Sequence, residues 1–131
     1  YYERVGLRYI NAFSRKDLDL EGVPFRELFQ PCYLGILGEE DVNEASTTRC
    51  SMDVEIALRG GCRAKIHAGP GMVKRGGQVR FILDNDLFMS GNVPINLSAG
   101  AMQTLHQQAG SLFLGAVTQR LYDALEPLEL L

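Results

Sequence analysis

The fold is decided by the C-terminal stretch Ser98–Glu126, which reads SAGAMQTLHQQAGSLFLGAVTQRLYDALE. Leu, Ala, Met, Gln and Arg dominate this stretch, and these residues favour helix. Ser98 is suited to an N-cap position, and Pro127 cannot continue a helix. Apolar residues recur at three- and four-residue steps and share one face: Met102, Leu105, Ala109, Leu112, Phe113 and Ala116. The stretch therefore predicts one long helix that covers a β-sheet.

A second apolar stripe begins halfway along the predicted helix and points in another direction. It consists of Leu114, Val117, Leu121 and Leu125. Either the helix bends so that this stripe packs on the chain's own N-terminal segments, or the stripe forms an interface. A helix that is apolar most of the way round is usually buried. Gly110 and Gly115 each cost about 1 kcal/mol against alanine in a helix interior, and close backbone approach is the reason that we expect.

The clearest strand pattern lies in residues 52–68, where apolar and polar residues alternate on both sides of a glycine pair. Apolar residues must face one another across a hairpin, so Val54 pairs with Ile66 and the loop is Arg59-Gly60-Gly61. The same register predicts the pairs Leu58 with Cys62, Ile56 with Ala64, Glu55 with Lys65 and Asp53 with His67. The outer face of this hairpin is charged, which predicts that helix covers only the other face.

The remaining elements complete an α+β domain that takes in all 131 residues. Tyr2–Phe13 alternates as a first strand, and Pro24 suits the start of a short helix. Gln78–Met89 predicts the last strand, and the glycine-rich, basic stretch Gly69–Gly77 predicts a mobile connection. The order strand, short helix, three strands, long helix predicts an antiparallel sheet of about four strands with the long helix packed on one face.

Composition excludes several classes of protein. The net charge is 13 − 16 = −3, which disfavours binding to a nucleic-acid backbone. No apolar stretch approaches the roughly 20 residues of a membrane span, so we expect no membrane-spanning segment. Cys32, Cys50 and Cys62 match no zinc-site spacing, and we expect them to be small buried residues in a reducing compartment. The chain starts at Tyr1 and enters a strand at once, from which we expect a fragment of a longer protein.

Two acidic residues in the last predicted strand form a candidate metal site. Asp84 and Asp86 flank Asn85, and two carboxylates with an amide could hold Mg²⁺ or Ca²⁺. Ion pairs are the more common reason for such a cluster. We therefore favour pairing of these aspartates with Arg80 or with Arg8 in the first strand.

His106 is the candidate general base. It directly follows Leu105, which belongs to the first apolar face of the predicted helix. A general base needs a nucleophile within reach, and no Ser or Cys lies in a known nucleophile motif. A boundary residue that packs its ring and makes one hydrogen bond is therefore the favoured interpretation. We expect no cofactor, because the glycine-rich stretch lacks the spacing of a phosphate-binding loop.

Three motifs carry a resemblance to a known family: Arg4-Val5-Gly6-Leu7-Arg8-Tyr9-Ile10-Asn11, the strand Phe81–Phe88 with Leu83-Asp84-Asn85-Asp86, and Leu105-His106 followed by Phe113 and Val117-Thr118. With these, the chain resembles the C-terminal half of a sporadically distributed family of uncharacterised prokaryotic proteins. The resemblance implies a cytoplasmic bacterial protein and a fragment of a longer chain. It draws attention, without a role, to Arg8, Asn11, Asp84, Asp86 and His106.

Three functions stay open from the sequence. The favoured one is a non-enzymatic interaction or oligomerisation domain, whose second apolar stripe packs on a missing N-terminal half or on a second copy of the chain. The alternative is a small-ligand site between the long helix and the sheet, where Arg8, Asn11 or His106 would orient the ligand. The third is a metal-dependent enzyme that uses Asp84 and Asp86.

Overall fold

A four-stranded antiparallel sheet with the strand order β1-β4-β3-β2 forms the framework of the protein. The computed structural model describes residues 2–72 and 79–125. The strands are β1 (Tyr2–Phe13), β2 (Met52–Ala57), β3 (Arg63–Met72) and β4 (Val79–Val93), and the helices are α1 (Ser98–Ala116) and α2 (Gln119–Ala124). The predicted α+β architecture, with the C-terminal helix packed on one face of the sheet, is confirmed.

The β2–β3 hairpin has the predicted register throughout, including the pair Val54 and Ile66. Its loop glycines, Gly60 and Gly61, have φ angles of 72° and 74°. Glycine adopts this left-handed conformation at no steric cost. Strict alternation and a glycine loop therefore predicted this part of the fold to the residue.

The central strand is β4, which pairs with β1 on one side and with β3 on the other. It extends to Val93, beyond the predicted end at Met89. Strand β3 continues to Met72, so the start of the predicted mobile connection Gly69–Gly77 is in fact a strand. Residues 73–78, which contain the rest of that connection and the predicted start of β4, lie outside the described residues.

The short helix predicted near Pro24 is present only as 3-10 turns and not as a helix of two turns. Between positions 25 and 38 the chain forms 3-10 turns at Phe25–Glu27, Pro31–Tyr33 and Gly35–Gly38. A proline within the segment removes a backbone donor and stops a longer helix. The predicted apolar face is nevertheless buried, and the Phe29 ring stacks on Phe81 of β4 with 3.8 Å between ring centroids. These turns therefore cover the Phe81 end of the sheet.

One continuous helix over Ser98–Glu126 is also wrong, because the chain leaves the helix at Val117. This residue is extended, with φ −100° and ψ 150°, and forms an isolated bridge with Phe29. The Thr118 N–H donates to the Leu28 carbonyl at 2.9 Å, and its side chain caps α2. The N-terminal segment thus offers the backbone partners that replace helical hydrogen bonds. The predicted end at Glu126 and Pro127 lies outside the described residues.

The start of α1 differs from the prediction as well. Leu97, at the end of the 3-10 turn Ile95–Leu97, occupies the N-cap position. The Ser98 hydroxyl instead donates to the Ile95 carbonyl at 2.8 Å. The predicted core face of α1 is confirmed, since every member of the stripe packs in or against the core.

The second apolar stripe is largely used by the chain itself. Val117 and Leu121 lie in the core, and Leu125 is half-buried against it, whereas Leu114 is 58% exposed. The bend and the packing on N-terminal segments are therefore what the structure shows. Val117 and Leu121 are not available to a partner in this fold, and the predicted interface stays a prediction for Leu114 and Leu125.

Close backbone approach does not explain the glycines of α1. A Cβ built on Gly110 or Gly115 would meet no neighbouring atom within 4 Å outside its own helix, among the residues that the structure describes. Burial of the cysteines is confirmed for Cys62 but is wrong for Cys32, which is exposed. Across the described ranges, no helix is long and apolar enough to cross a membrane.

Candidate functional site

Three adjacent polar residues of strand β4 lie on two different faces of the sheet. Side chains alternate along a strand, so Asn85 shares the core face with Leu83 and Leu87, while Asp84 and Asp86 lie on the outer face. The amide therefore cannot join the two carboxylates around one metal ion. The metal site in the form that the sequence predicted is divided by the sheet itself.

The two aspartates are engaged by arginines of β1. Arg8 donates from Nε and Nη2 to the Asp84 carboxylate at 3.0 and 2.7 Å, and Arg4 donates to Asp86 at 3.3 Å. The hydrogen bond from Arg8 holds the pKa of the Asp84 carboxyl below its ordinary value. Within residues 2–72 and 79–125, no three His, Cys, Asp or Glu side chains are grouped to hold a metal ion. The ion-pair interpretation with Arg8 thus describes this face, while Arg80 approaches Asp17 instead, at 3.9 Å.

The three residues expected to orient a ligand are divided in the same way. Arg8 points to the outer face with Asp84, away from the helix. Asn11 and His106 both line a cavity of about 250 Å³ between α1 and the β1–β4 pair. The structure therefore brings Asn11 and His106 together at the cavity and places Arg8 on the opposite face of the sheet.

The cavity is lined by side chains from two strands and one helix. They are Tyr9 and Asn11 of β1, Asn85 of β4, and His106, Ala109, Gly110 and Phe113 of α1. Because regular elements rather than loops supply all of them, the positions of these groups are fixed by the core packing beneath.

Asn85 is the most unusual residue in the cavity. It is 3% exposed, and its Oδ1 has no hydrogen-bond partner among the residues that the structure describes. An unpaired polar atom in the interior costs about 1–3 kcal/mol, and most buried polar groups in folded proteins are paired. Its neighbour across the strand pair is Tyr9. Asn85 thus lines the sheet side of the cavity with an acceptor that no described residue pairs.

A contact between strand and helix closes part of the opening. The Tyr9 hydroxyl and His106 Nδ1 are 3.2 Å apart, and both residues are exposed to solvent. This contact supplies the single hydrogen bond predicted for His106. It also ties α1 to β1 directly beside the cavity.

On the helix side, the cavity is open at Gly110 and bounded by the Phe113 ring. Gly110 has no side chain, and a Cβ there would meet open space. The Phe113 ring is held by stacking on Phe13, with 6.3 Å between ring centroids. None of the lining residues is Asp, Glu, Lys or Arg, so the cavity suits a neutral molecule, because a buried charge without a partner is costly.

Two larger depressions are weaker candidates. One of about 990 Å³ lies among the loops around Glu44, and Glu44 there already accepts from Arg15 and from the Phe25 N–H. Another of about 430 Å³ lies on the outer face, where Arg8 and Asp84 satisfy each other. Their central polar groups are paired within the chain, which distinguishes them from the cavity at Asn85.

Sequence reasoning missed Tyr9 and Asn85 as members of the site. The signal for Asn85 was present, because alternation from Phe81, Leu83 and Leu87 places position 85 on the core face. A polar residue among buried ones is informative for that reason. A signal for Tyr9 was present as well, because alternation along β1 puts it on the same face as Asn11.

Comparisons of the chain with models of protein families, with curated proteins and with solved structures found no significant match. The resemblance to an uncharacterised prokaryotic family stays a prediction. The function must therefore be inferred from the residues of the cavity themselves.

Proposed function

We propose that the protein is a small-molecule-binding domain whose site is the cavity between α1 and the β1–β4 pair. The unpaired Oδ1 of buried Asn85 carries this proposal. A ligand that donates a hydrogen bond to this atom removes a cost that the free protein bears. The bound state therefore gains an interaction for which the chain itself supplies no partner.

The dimensions of the cavity limit the ligand. Its volume of about 250 Å³ is just below the range of roughly 300–1,000 Å³ that is typical of ligand sites. The missing side chain at Gly110 keeps the helix side open. A compact molecule that is smaller than a typical drug fits these limits.

Binding is proposed rather than catalysis because the lining lacks the parts of a reaction centre. His106 is the only His, Asp, Glu or Lys among the described lining residues, and its Nδ1 faces the Tyr9 hydroxyl. The lining contains no Ser, Cys, Asp or Glu that could act as a nucleophile. A metal-dependent reaction at Asp84 and Asp86 is not supported by their pairing with arginines.

A fragment screen by thermal unfolding tests the proposal, with Gly110→Leu and Gly115→Leu as a matched pair. Both substitutions put the same side chain on α1, but only position 110 lines the cavity. At ten times its Kd, a fragment should stabilise the wild type by about 1.4 kcal/mol, a Tm rise of roughly 4–6 °C. The shift should persist in Gly115→Leu and disappear in Gly110→Leu. Hits that bind both variants equally would refute the proposal, and so would a screen without hits.

An interaction domain is the second candidate, and the open edge of the sheet favours it. Strand β1 stands at one edge and pairs only with β4 in the described sheet, and unpaired strand edges recruit other chains. Ile10 of this strand and Leu114 of α1 are exposed apolar residues. Sedimentation of the protein, with Leu114→Asp as a variant, tests this candidate. A monomer whose behaviour the variant leaves unchanged would argue against Leu114 as a contact.

A further inference from the structure

We infer that the cavity is built for a neutral single-ring molecule with an amide N–H beside a carbonyl, which is the chemistry of a pyrimidine base. This inference rests on the proposed ligand-binding function and names the class of ligand. Three properties of the cavity lead to it: its lack of charge, its pair of carboxamides and its aromatic walls.

The charge of the ligand follows from the lining. Among the described residues, no acidic side chain, lysine or arginine lines the cavity, and Arg8 and Arg4 are directed to the outer face by their aspartate partners. A phosphate or carboxylate group would enter without a counter-charge, at a high desolvation cost. A free base or a similar lactam is therefore favoured over a nucleotide.

The hydrogen-bonding groups of the ligand follow from two asparagines on adjacent strands. Asn85 lies opposite Tyr9, and Asn11 lies opposite Leu83, so the two asparagines are diagonal neighbours about 7–8 Å apart. A carboxamide presents an acceptor beside a donor, and a ring amide presents the complementary pair. The ring N–H donates to Asn85 Oδ1, and a second carbonyl of the same ring can accept from the Asn11 amide.

The planar shape follows from the aromatic residues. Tyr9 lines the cavity from the sheet side and Phe113 from the helix side, and the orientation of Phe113 is fixed by Phe13. Aromatic rings stack on nucleobases with little dependence on the base. The volume of about 250 Å³ leaves room for one ring of this kind with its exocyclic oxygens.

Titrations of ¹⁵N-labelled protein with uracil and 1,3-dimethyluracil test the inference. The two molecules share a ring and its carbonyls, but methylation removes every N–H donor. Uracil should bind at least about tenfold more tightly, which corresponds to about 1.4 kcal/mol. Uracil-6-carboxylate (orotate) should bind more weakly than uracil, because no Lys or Arg among the described residues lines the cavity. In Asn85→Leu, uracil should lose its advantage over 1,3-dimethyluracil, whereas Asp84→Asn on the outer face should keep it.

The possible results distinguish failure of the inferred ligand class from failure of the proposed binding function. Equal affinity for uracil and 1,3-dimethyluracil, blocked by Gly110→Leu, would overturn the amide class while the cavity remained a ligand site. Preferential binding of orotate would overturn it in the same way. If uracil fails to bind while an unrelated fragment binds in a manner sensitive to Gly110→Leu, the inferred class is wrong and the binding function stands. Absence of any cavity ligand would refute both.

Discussion

The two faces of the β1–β4 strand pair carry polar residues at neighbouring positions but satisfy them differently. On the outer face, Arg8 and Asp84 form a two-point ion pair at 3.0 and 2.7 Å. On the inner face, one residue further along β4, Asn85 is buried with an unpaired Oδ1. The strand therefore pairs its polar groups within the chain on the outer face, where water could also bind them. On the inner face, where water has little access, it leaves one acceptor unpaired by the described residues.

This difference is the reverse of what stability alone would produce. An exposed ion pair contributes about 0–1 kcal/mol, whereas an unpaired buried acceptor costs about 1–3 kcal/mol. Leu83 and Leu87 show that this face of β4 accommodates apolar side chains well. An asparagine between them is explained when a ligand, rather than the chain, completes its hydrogen bonding.

The largest effect is expected when the packing beneath the cavity is broken. Leu105 is fully buried where α1 meets the sheet, whereas Leu114 on the same helix is exposed. Leu105→Ala should lower the free energy of unfolding by about 2–5 kcal/mol, because it removes buried methyl groups and leaves a void. Leu114→Ala should change it by less than about 0.5 kcal/mol. Urea denaturation measures both, and equal losses would show that α1 is not docked as described.

The second effect compares the two faces directly. Asn85→Leu should raise the free energy of unfolding by about 1–3 kcal/mol, because it removes the unpaired acceptor from an apolar face. Asp84→Asn should lower it by up to about 1 kcal/mol, because it weakens the partly exposed pair with Arg8. Denaturant midpoints give both values. A loss of stability in Asn85→Leu would mean that the asparagine has a structural role in the free protein.

A smaller effect concerns the opening of the cavity. Gly110→Ala and Gly115→Ala should each stabilise the protein by up to about 1 kcal/mol through helix propensity, since neither Cβ meets a neighbour. Thermal unfolding of the two variants checks this. If Gly110→Ala is destabilising, the space beside position 110 is not open and the cavity is smaller than described.

The smallest effect is a pH dependence on the outer face. The pKa of Asp84 is lowered in the folded state by the hydrogen bond from Arg8, so this pair stabilises the protein above the ordinary aspartate pKa of about 3.9. The contribution is lost as the pH falls through the folded-state pKa. The stability difference between wild type and Asp84→Asn should therefore be present at pH 7, shrink as the pH falls below about 3.9 and vanish once the pH is below the folded-state pKa. A difference that is independent of pH would show that the ion pair does not form.

Local patterns predicted most of the sheet, whereas contacts between distant segments decided the rest. Alternation gave the β2–β3 register, because a shift by one residue would expose every apolar side chain of the hairpin. The helix break at Val117 could not be read from periodicity, since the apolar steps continue through it. It depends on Phe29 and its neighbours, which are far away in sequence and supply backbone partners.

The candidate site was predictable only in part, for a similar reason. The sequence placed Asn11 and His106 near the helix–sheet boundary, but it also included Arg8, whose position in the alternation puts it on the opposite face. Gly110 leaves the helix side of the cavity open, because a Cβ there would meet no described neighbour within 4 Å. The Phe113 ring, which stacks on Phe13, bounds the cavity beside it.

The most direct test of the ligand site is a map of amide chemical-shift changes in ¹⁵N-labelled protein titrated with uracil. The account predicts that the largest changes cluster at Tyr9, Asn11, Asn85 and the part of α1 from His106 to Phe113, and that they are absent in Gly110→Leu. Changes centred on the outer face around Arg8 and Asp84, or changes that persist in Gly110→Leu, would contradict it.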